Sequence, residues 1–539
     1  MSLKKLPQNG KIAVLGAGIS GLTFTYFLSK LRPDIKFDIY EKSSKVGGWM
    51  SSPSLHVKDS GELIILEKGP RTLRGIRDGS LLMIDILRKL GLEDQIEVIH
   101  KSSIANKKYI TDSTGELIQV PNSLKTFIEF MKNVKAVDSK LFFGILKEPF
   151  VKPLEQDESV EQFFKRRLGS TSLTDNVASA IIHGVYAGDI SKLSIKSTMP
   201  FMKDLENESG SIIKHMLKSI KKKKPISLKH VLSDELETYE TKISPESNLS
   251  SIQSKLKDYP MIKLHDGLQT LPTALASYLS QNKNIKFHFN SPIIECDPKI
   301  GLVNDEEYDH IRSTIDSYSL ANSLPLNNPL IPDLKSVQYI SIFLTNIYSK
   351  KSILIPHNKP GFGFLRPRHQ QIKDNPQALL GVIYDSDIEK NVVKLFDSTQ
   401  SNPAQYEEYN KITVMMGGHY YNNWNIPSNN VNLQIVKEIL QDKLKVNISK
   451  FNIKIVDYDP TNEDFKIDSI GDNDIIISYN LIENCIPQYN LGYQEIKANV
   501  FNIVDKENFK LSFGGTVFGD GIGVPDCVSN ALKDATKLS

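Results

Sequence analysis

The stretch KIAVLGAGISGLTFTYFLSK, residues 11–30, predicts a short buried strand, a glycine turn and a helix, in that order. Within the turn, Gly16, Gly18 and Gly21 form the pattern G-x-G-x-x-G. The first glycine permits a tight turn, the second lets a pyrophosphate approach the backbone, and the third lets helix and strand pack closely. The N-terminus of the helix then faces the phosphates. The stretch therefore predicts a dinucleotide site.

A second strand supports this prediction. The stretch KFDIYE, residues 36–41, ends in Glu41, twenty residues after Gly21, where a carboxylate accepts hydrogen bonds from ribose hydroxyls. Gly47 and Gly48 follow, and they let the backbone run along the phosphates of a long, extended cofactor. This arrangement favours FAD over NAD.

The end of the chain also favours a flavin. The segment LSFGGTVFGDGIGVPDCVSNALKDA, residues 511–535, predicts a strand, a glycine-rich turn and a helix that begins near Val524. A helix N-terminus at this place stabilises negative charge on the pyrimidine side of a reduced flavin. The alternative, a helix that only closes the sheet, is compatible with this role.

Length and composition limit the possibilities. A chain of 539 residues predicts two or three structural units, and 40% apolar with 24% charged residues is typical of a folded protein. The net charge of +3 gives no support for nucleic-acid binding. The three cysteines (Cys296, Cys485 and Cys527) have no metal-ligand spacing, so we expect neither a disulfide framework nor a metal site. No apolar run approaches the ~18–20 residues of a membrane-spanning helix.

Several patterns divide the rest of the chain. Residues 81–100 predict an amphipathic helix that ends near Gly91, and residues 157–169 predict another helix. The Phe-rich stretch 123–150 has a helical pattern, and its sequence leaves open an internal packing helix or a surface that dips into lipid. Residues 203–260 are polar with a lysine run, which indicates a solvated insertion or a patch attracted to anionic lipid. From Met261 onward, long strand patterns predict a separate sheet that covers the cofactor.

Together these segments resemble the protoporphyrinogen oxidase family, the FAD enzymes of haem biosynthesis, and in particular its fungal mitochondrial forms. The motifs that carry the resemblance are GAGISGL (16–22), YEKSSKVGGW (40–49), EKGPRTLRG (67–75), DESVEQFFKRRLG (157–169), GVYAGDISKLSIKS (184–197), GFGFLRP (361–367), LLGVIYDS (379–386), VMMGG (414–418), NCIPQYNLGY (484–493) and GVPDCVSNA (523–531). They span nearly the whole chain in the order of the family. Amine-oxidising relatives commonly carry arginine where Trp49 stands, so the tryptophan argues against an amine oxidase.

The resemblance implies a set of site residues. The FAD contacts fall on Gly16, Ala17, Gly18, Ile19, Ser20, Gly21, Glu41, Lys42, Trp49, Gly69, Pro70, Arg71, Thr72, Ile293, Ile522, Gly523 and Val524. The substrate pocket falls on Gly184, Leu365, Ile383 and Met415, whose apolar members are otherwise ordinary core residues. Animal and plant members hold a substrate propionate with an arginine in a segment that reads roughly N-R-F. This chain reads ANKKYI there, which implies that Lys107 takes that role, unless it is an exposed surface lysine.

The resemblance also implies an α/β fold of the amine oxidase-like flavoprotein superfamily. We expect a discontinuous FAD-binding domain (11–100, 262–312 and 478–539), a helical membrane-associating domain (101–215), a polar basic insertion (216–261) and a mixed-sheet substrate domain (313–477). The implied reaction is the oxidation of protoporphyrinogen IX to protoporphyrin IX by non-covalent FAD, with flavin N5 as hydride acceptor, no catalytic side chain, dioxygen as oxidant and hydrogen peroxide as by-product.

Location and partners follow from the same resemblance. It implies peripheral contact with the mitochondrial inner membrane on the side of the intermembrane space, a homodimer, and a hand-over of the product to ferrochelatase. Residues 1–33 contain five basic residues and no acidic one, which suits a mitochondrial address but also occurs by chance. Two other functions remain open: another flavin oxidase, such as a polyamine oxidase or carotenoid desaturase, and a non-catalytic binding protein like GDP-dissociation inhibitors.

Overall fold

A five-stranded parallel sheet is built around the strand that the first glycine turn follows. From one edge to the other its strands are Ile285–His288, Lys36–Tyr40, Lys11–Leu15, His310–Ser313 and Leu511–Phe513. Its strands thus come from each of the three segments that the sequence assigns to cofactor binding. The computed structural model describes residues 5–121, 130, 139–221, 233–368, 375–397, 408–423, 425–456 and 465–539.

A larger mixed sheet of eight strands lies beside it. In spatial order these are Asn452–Val456, Asp474–Pro487, Tyr339–Ser349, Asn410–Gly418, Leu379–Ile383, Gly363–Leu365, Lys108–Thr111 and Leu117–Gln119. The sequence prediction of a second, strand-rich sheet after Met261 is confirmed. Its last two strands correct the expectation that 101–215 is helical throughout, because their alternating side chains complete the edge of this sheet.

Three small sheets complete the strand structure of the described residues. One contains Val393–Lys394, Ile96–Ile99, Met261–Leu264 and Leu73–Arg74; the second Cys296–Asp297, Leu302–Val303 and Glu306–Glu307; the third Phe465–Ile467, Ser54–Val57 and Leu63–Ile65. The strand Ile96–Ile99 also corrects the helix predicted over 81–100. That helix spans Asp78–Lys89 and ends before Gly91, whose φ of 74° lies in the left-handed region.

Helices cover the faces of both large sheets. In the described residues they are Ile19–Leu31, Asp78–Lys89, Ser139–Lys147, Val160–Leu168, Ser179–Tyr186, Ile195–Thr198, Pro200–Ser209, Ile212–Lys221, Asp234–Thr238, Leu249–Leu256, Thr270–Ser280, Ser317–Ser323, Ile331–Ser336, Asp385–Glu389, His419–Asn423, Asn429–Asp442, Tyr493–Glu507, Gly515–Phe518 and Val524–Leu538. Single helical turns lie at Glu93–Gln95, Ile104–Asn106, Glu148–Phe150, Thr174–Ala178, Tyr239–Ile243 and Ile448–Lys450. The helix predicted to begin near Val524 is confirmed.

The prediction of a polar insertion over 216–261 is wrong for the second half of this segment. Leu236, Tyr239, Leu249, Ile252 and Leu256 are all fully buried in the same apolar cluster as the first helix. The polar residues between them face outward, so the average polarity of the segment concealed a helical apolar face. The lysine run at 222–232 lies outside the described residues, as do 122–129 and 131–138 of the Phe-rich stretch.

The helix Ile19–Leu31 packs directly on the backbone of the turn before it. A Cβ atom at Gly21 would lie 2.2 Å from the carbonyl oxygen of Gly16. Real Cβ atoms do not approach a backbone oxygen this closely, so the glycine permits the close packing of helix and strand that the sequence predicts.

We therefore expect Gly21→Ala to destabilise the protein. Alanine gains about 1 kcal/mol in helix propensity, but overpacking against an atom that cannot move away costs about 1–3 kcal/mol. Thermal unfolding should show a lowered Tm. As a control, Gly471→Ala should melt like the wild type, because its new Cβ would meet its nearest neighbour, an oxygen of Asp474, at 3.5 Å. A Gly21→Ala variant as stable as this control would contradict the packing argument.

Candidate active site

The glycine turn leaves the backbone open at the start of the first helix. Gly16 adopts a φ of 99°, and its N–H donates to the carbonyl of Tyr40 at 2.8 Å. Gly18 caps the helix, and a Cβ there would meet only the Cα of Gly48, at 3.9 Å. The N–H of Gly47 donates to the carbonyl of Ala17 at 3.0 Å, so the two glycine loops lie side by side. A phosphate can approach this helix N-terminus without meeting a side chain.

Glu41 stands at the carboxyl end of its strand, next to this turn. One carboxylate oxygen accepts the N–H of Ala17 at 3.0 Å, and the other accepts the N–H of Ser43 at 3.0 Å. Ile293 is half-buried on the loop that the strand Ile285–His288 leads into, and Lys42 is exposed. The two N–H groups thus hold the carboxylate beside the glycine turn.

Ile19 and Ser20 are buried at the start of the helix. The Ser20 hydroxyl accepts the N–H of Gly515 at 2.8 Å, so it ties the turn to the C-terminal segment.

The loop that carries Trp49 packs backbone to backbone on the next predicted segment. A Cβ at Gly69 would lie 1.8 Å from the carbonyl oxygen of Trp49. The indole itself is 51% exposed, and Pro70 and Thr72 are half-buried. The structure therefore brings these residues together and leaves the tryptophan ring accessible to a ligand.

Arg71 lies beneath this loop and is buried. Its Nε lies 3.3 Å from a carboxylate oxygen of Asp385, and burial raises the pKa of that carboxyl. Neither Nε nor Nη1 of Arg71 has a hydrogen-bond partner among the described residues. A buried donor without a partner is costly, so these N–H groups fit an acceptor supplied by a bound cofactor.

The C-terminal helix begins at the same region. Gly523 caps the helix Val524–Leu538, and its N–H donates to the carboxylate of Asp526 at 3.1 Å. A Cβ at Gly79 would lie 1.8 Å from the carbonyl oxygen of Pro525. Ile522 is half-buried and packs on the helical layer. The N-terminus of this helix is therefore held directly against the start of the helix Asp78–Lys89, and its flavin-side role stays a prediction.

The four predicted pocket residues meet. Leu365 pairs with Gly381 and Gly381 with Met415 on neighbouring strands, so these three share one face of the large sheet. Ile383 lies two residues beyond Gly381 on that face. A Cβ at Gly184 would lie 2.7 Å from a methyl carbon of Leu365, so the helix Ser179–Tyr186 approaches the sheet there. The three side chains are half-buried, so each keeps an accessible part beside this helix, and we refer to this apolar site as the slot.

Lys107 does not share the face of this slot. Its side chain is exposed, and its ammonium has no hydrogen-bond or ion-pair partner in the described part of the chain. The next residue, Lys108, pairs with Gly363, as Ile110 pairs with Leu365. Because side chains alternate along a strand, Lys108 shares the face of Leu365 and Lys107 the opposite one. The structure thus brings Lys108 to the slot.

Arg74 is a second cation at this place, and sequence reasoning missed it. Burial lowers the pKa of Lys108, and the nearby charge of Arg74 lowers it further. Lys108 is nevertheless accessible to solvent. A group that is accessible and also surrounded by protein lies in a concave site. The motif EKGPRTLRG contains Arg74, but nothing in its spacing indicates that its side chain meets a residue of another strand.

Two histidines, His183 and His419, meet next to Gly184. His183 Nδ1 donates to the carbonyl of Arg366 at 2.6 Å, and its Nε2 lies 3.1 Å from Nε2 of His419. Burial lowers the pKa of His183 to about 3 and that of His419 to about 4, so both rings are neutral at pH 7. A carbonyl only accepts, so His183 carries its proton on Nδ1 and accepts the Nε2–H of His419. The two histidines are 236 residues apart, so nothing in the sequence indicates that they meet.

The described residues contain neither a metal-binding cluster nor a membrane-spanning helix. Among the described residues, no group of three or more His, Cys, Asp or Glu side chains is arranged to hold a metal ion. Within the same residues, no helix is long and apolar enough to cross a membrane.

Comparisons with known proteins place this site in a family. The sequence profile described as flavin containing amine oxidoreductase matches residues 19–459. The chain is 34% identical to the protoporphyrinogen oxidase of Saccharomyces cerevisiae, over 100% of this chain and 99% of that protein. It is 28% identical to the protoporphyrinogen oxidase of Schizosaccharomyces pombe, over 98% of both chains. The crystal structure of reduced UDP-galactopyranose mutase has the same fold, with a TM-score of 0.61 at 13% identity over 98% of this chain and 93% of that chain. The predicted fold class and FAD as the cofactor are confirmed.

We expect Gly18→Ala to weaken FAD binding without affecting the fold. The φ of −73° suits alanine, and the new methyl group would meet no protein atom closer than 3.9 Å. It would, however, occupy the space through which the phosphates approach the helix, and a misplaced methyl costs about 1–3 kcal/mol. FAD titration of the stripped protein should give a Kd about tenfold or more higher, with an unchanged Tm of the stripped protein. An unchanged Kd would show that the phosphates of FAD do not bind at this turn.

Proposed function

The chain belongs to the protoporphyrinogen oxidase family of flavin-containing amine oxidoreductases, and on this premise we propose that it oxidises protoporphyrinogen IX to protoporphyrin IX, the penultimate step of haem biosynthesis. The observation that carries the proposal is the apolar slot between Gly184 and the row Leu365–Gly381–Met415, with cations at one side. A flexible, mostly apolar macrocycle with two propionates matches such a slot. In the proposal, dioxygen takes up the electrons and leaves as hydrogen peroxide.

The residues of the cofactor site fit a non-covalent FAD. The open backbone at Gly18 would receive its phosphates, Glu41 its ribose, and the free N–H groups of Arg71 an acceptor atom. All three cysteines are buried, and burial raises the pKa of each thiol to about 12, which is the opposite of an activated attachment site. When bound, FAD supplies the two-electron acceptor for each oxidation step.

The contribution of the protein chain is to bind and orient. The methylene bridges of the substrate flank electron-rich pyrroles, so loss of a hydride is assisted by the substrate itself. Leu365, Ile383 and Met415 would hold the ring flat and exclude water, and Lys108 would hold a propionate. Holding the reacting groups in line accounts for the acceleration without a general base. The neutral His183–His419 pair would leave the part of the slot next to Gly184 uncharged.

The other functions fit the slot less well. A polyamine is a polycation, and the neighbouring charges of Lys108 and Arg74, which form no ion pair among the described residues, would repel it. A carotenoid precursor would leave the same two charges without a counter-ion. A non-catalytic binding protein of the GDP-dissociation-inhibitor type has no use for the open glycine turn at Gly18.

The reaction itself is the first test. Supplied with protoporphyrinogen IX and air, the holoenzyme should form fluorescent protoporphyrin IX and about three peroxides per porphyrin, since a flavin removes two electrons per step. A polyamine and a carotenoid precursor, given under identical conditions, should not be consumed. Turnover of either competitor in preference to the tetrapyrrole would refute the proposal, while the FAD content of the protein would still support the fold.

We also propose that a helical surface contacts a membrane peripherally. The helix Ser139–Lys147 packs through Leu141 and Gly144, where a Cβ would lie 1.6 Å from the carbonyl oxygen of Leu168. Its other face exposes Phe142, Phe143, Ile145 and Leu146, and the next turn exposes Phe150 at 82%. In the described part of the Phe-rich stretch, one face therefore packs inward and the other is exposed, which supports the proposed lipid contact.

Buried charges hold this apolar surface in place. Arg167 is fully buried and forms ion pairs with Glu148 and Glu206. Glu148 also accepts the N–H groups of Ile212 and Ile213, which begin the helix Ile212–Lys221. On that helix the ammonium of Lys214 lies 5.8 Å from the ring of Phe150. Exposed lysines beside exposed phenylalanines suit a surface at which apolar groups enter lipid and ammonium groups meet phosphates.

The membrane proposal predicts a loss of binding when the apolar face is made polar. The triple variant Phe142→Ser/Phe143→Ser/Leu146→Ser should bind phospholipid vesicles about a hundredfold or more weakly, since each buried apolar side chain contributes about 1.5–3 kcal/mol. Co-sedimentation measures this. Leu326→Ser, at a residue 96% exposed on another part of the chain, is the matched control and should bind like the wild type. Release of the wild type by salt alone would show that the apolar face is not the lipid contact.

Location remains a proposal of the same kind. The basic, acid-free residues 1–33 and the exposed apolar helix support the mitochondrial inner membrane, on its intermembrane-space side. A homodimer and a hand-over of the product to ferrochelatase stay predictions.

A further inference from the structure

Two cations that form no ion pair among the described residues lie on one side of the apolar slot. Arg74 pairs with Met261 across two short strands. Met261 belongs to a small apolar cluster against which Ile383 and Phe362 pack. The ammonium of Lys108 lies 5.7 Å from the ring centre of that same Phe362. The two cations therefore approach the slot from different sheets and meet around shared apolar residues.

Charge repulsion between these groups is not relieved inside the protein. The side chains of Arg74 and Lys108 have no hydrogen-bond or ion-pair partner among the described residues. The charge of Arg74 lowers the pKa of Lys108, and it also acts to lower that of Tyr186, whose pKa burial raises to about 12. Asp526 senses Arg74 as well, but its carboxylate already accepts the N–H of Gly523 at 3.1 Å. Two cations held near each other repel, and an anionic ligand that contacts both would relieve this repulsion.

We propose that Arg74 and Lys108 form a two-point clamp for the two carboxylates of the substrate. The clamp rests on the proposed function and adds to it a residue that the family resemblance does not assign. A macrocycle of four similar pyrroles can turn in its own plane inside an apolar slot. One charged anchor leaves it free to pivot, whereas two anchors hold the neighbouring propionates and fix which methylene bridge faces the cofactor. Arg74 is thus a positioning residue.

The chemistry of the two side chains suits this division. The guanidinium of Arg74 offers a planar fork that binds a carboxylate with two hydrogen bonds, and the ammonium of Lys108 offers a compact charge on a flexible stem. The first fixes direction and the second adapts to it. Both charge-assisted bonds would form in a concave, partly dry site, where they are stronger than in open water.

The experiment compares a diacid with its diester. Kinetics of the holoenzyme are measured with protoporphyrinogen IX and with its dimethyl ester, for Arg74→Met and Lys108→Met. Each variant should raise KM for the diacid about tenfold to a hundredfold, with a smaller change in kcat, since a hydrogen bond to a charged group contributes that much. The preference for diacid over diester should fall by the same factor. Arg74→Lys and Lys108→Arg should recover most of it.

Controls separate a specific role from general damage. Arg77→Met changes an exposed arginine of the same segment and should keep the wild-type preference. Lys107→Met changes the lysine on the opposite face of the strand and should keep the preference for diacid over diester. If Lys107→Met loses this preference and Lys108→Met keeps it, Lys107 binds the propionate and the clamp is overturned. If Arg74→Met leaves the diacid preference unchanged but shifts the reduction potential of the flavin, the charge of Arg74 serves the cofactor, and the clamp is also overturned.

A binding measurement makes the clamp independent of turnover. Fluorescence titration of the holoenzyme with protoporphyrin IX and its dimethyl ester should show the same loss of diacid preference in both Met variants. If the wild type fails to oxidise protoporphyrinogen IX, the proposed function fails, and this binding ratio still decides the clamp. Equal binding of diacid and diester by the wild type would refute it.

Discussion

Direct contact of main chain with main chain, at glycines where a side chain would intervene, is the constraint on which the cofactor region depends. Such contacts join Gly21 to Gly16, Gly69 to Trp49 and Gly79 to Pro525. The first joins the first helix to the turn before it, and the second joins the two loops after the second strand. The third joins the start of the helix Asp78–Lys89 to the C-terminal helix, which lies hundreds of residues further along the chain. A methyl group at any of these points would separate elements that must meet to surround one cofactor.

Electrostatics divide the site into two parts. Around the glycine turn, charges are satisfied, as the carboxylate of Glu41 accepts N–H groups from Ala17 and Ser43. At the slot the opposite holds, because Lys108 and Arg74 lie near each other and form no ion pair among the described residues. A protein tolerates such unsatisfied groups where a ligand supplies the partner. The slot therefore needs an anionic ligand to neutralise its charges, whereas the protein by itself holds the glycine turn and Glu41 in place.

The helical layer uses charge in a third way. Arg167, Glu148 and Glu206 are fully buried and paired, and breaking such a set leaves an isolated buried charge at a cost of about 3–5 kcal/mol. The network links the exposed turn Glu148–Phe150 to the helices Val160–Leu168, Pro200–Ser209 and Ile212–Lys221. Because this exposed apolar surface is already rigid, it would lose little conformational entropy when it enters a lipid layer.

The sequence alone determined the cofactor-binding segment, because the residues that identify it lie close together in the chain. The spacing of Gly16, Gly18, Gly21 and Glu41 is set by the geometry of one strand, one turn and one helix, so it predicts the turn, the acid and the fold class that the structure contains. The pocket residues Gly184, Leu365, Ile383 and Met415 came from family resemblance, because a half-buried apolar residue looks the same in any core.

Tertiary structure decided what depends on two distant segments or on strand register. Lys108 rather than Lys107 reaches the slot because the pairing of Lys108 with Gly363 sets its face, and a shift of one residue would exchange the two lysines. Arg74 meets Lys108, and His183 meets His419, only when separate sheets and helices pack together. The apolar residues of 233–256 are buried in the core because they recur with the period of a helix and so share one face. The average polarity of the segment does not show which face its apolar residues occupy. Sequence determines what is local; the distances between remote side chains exist only in the folded chain.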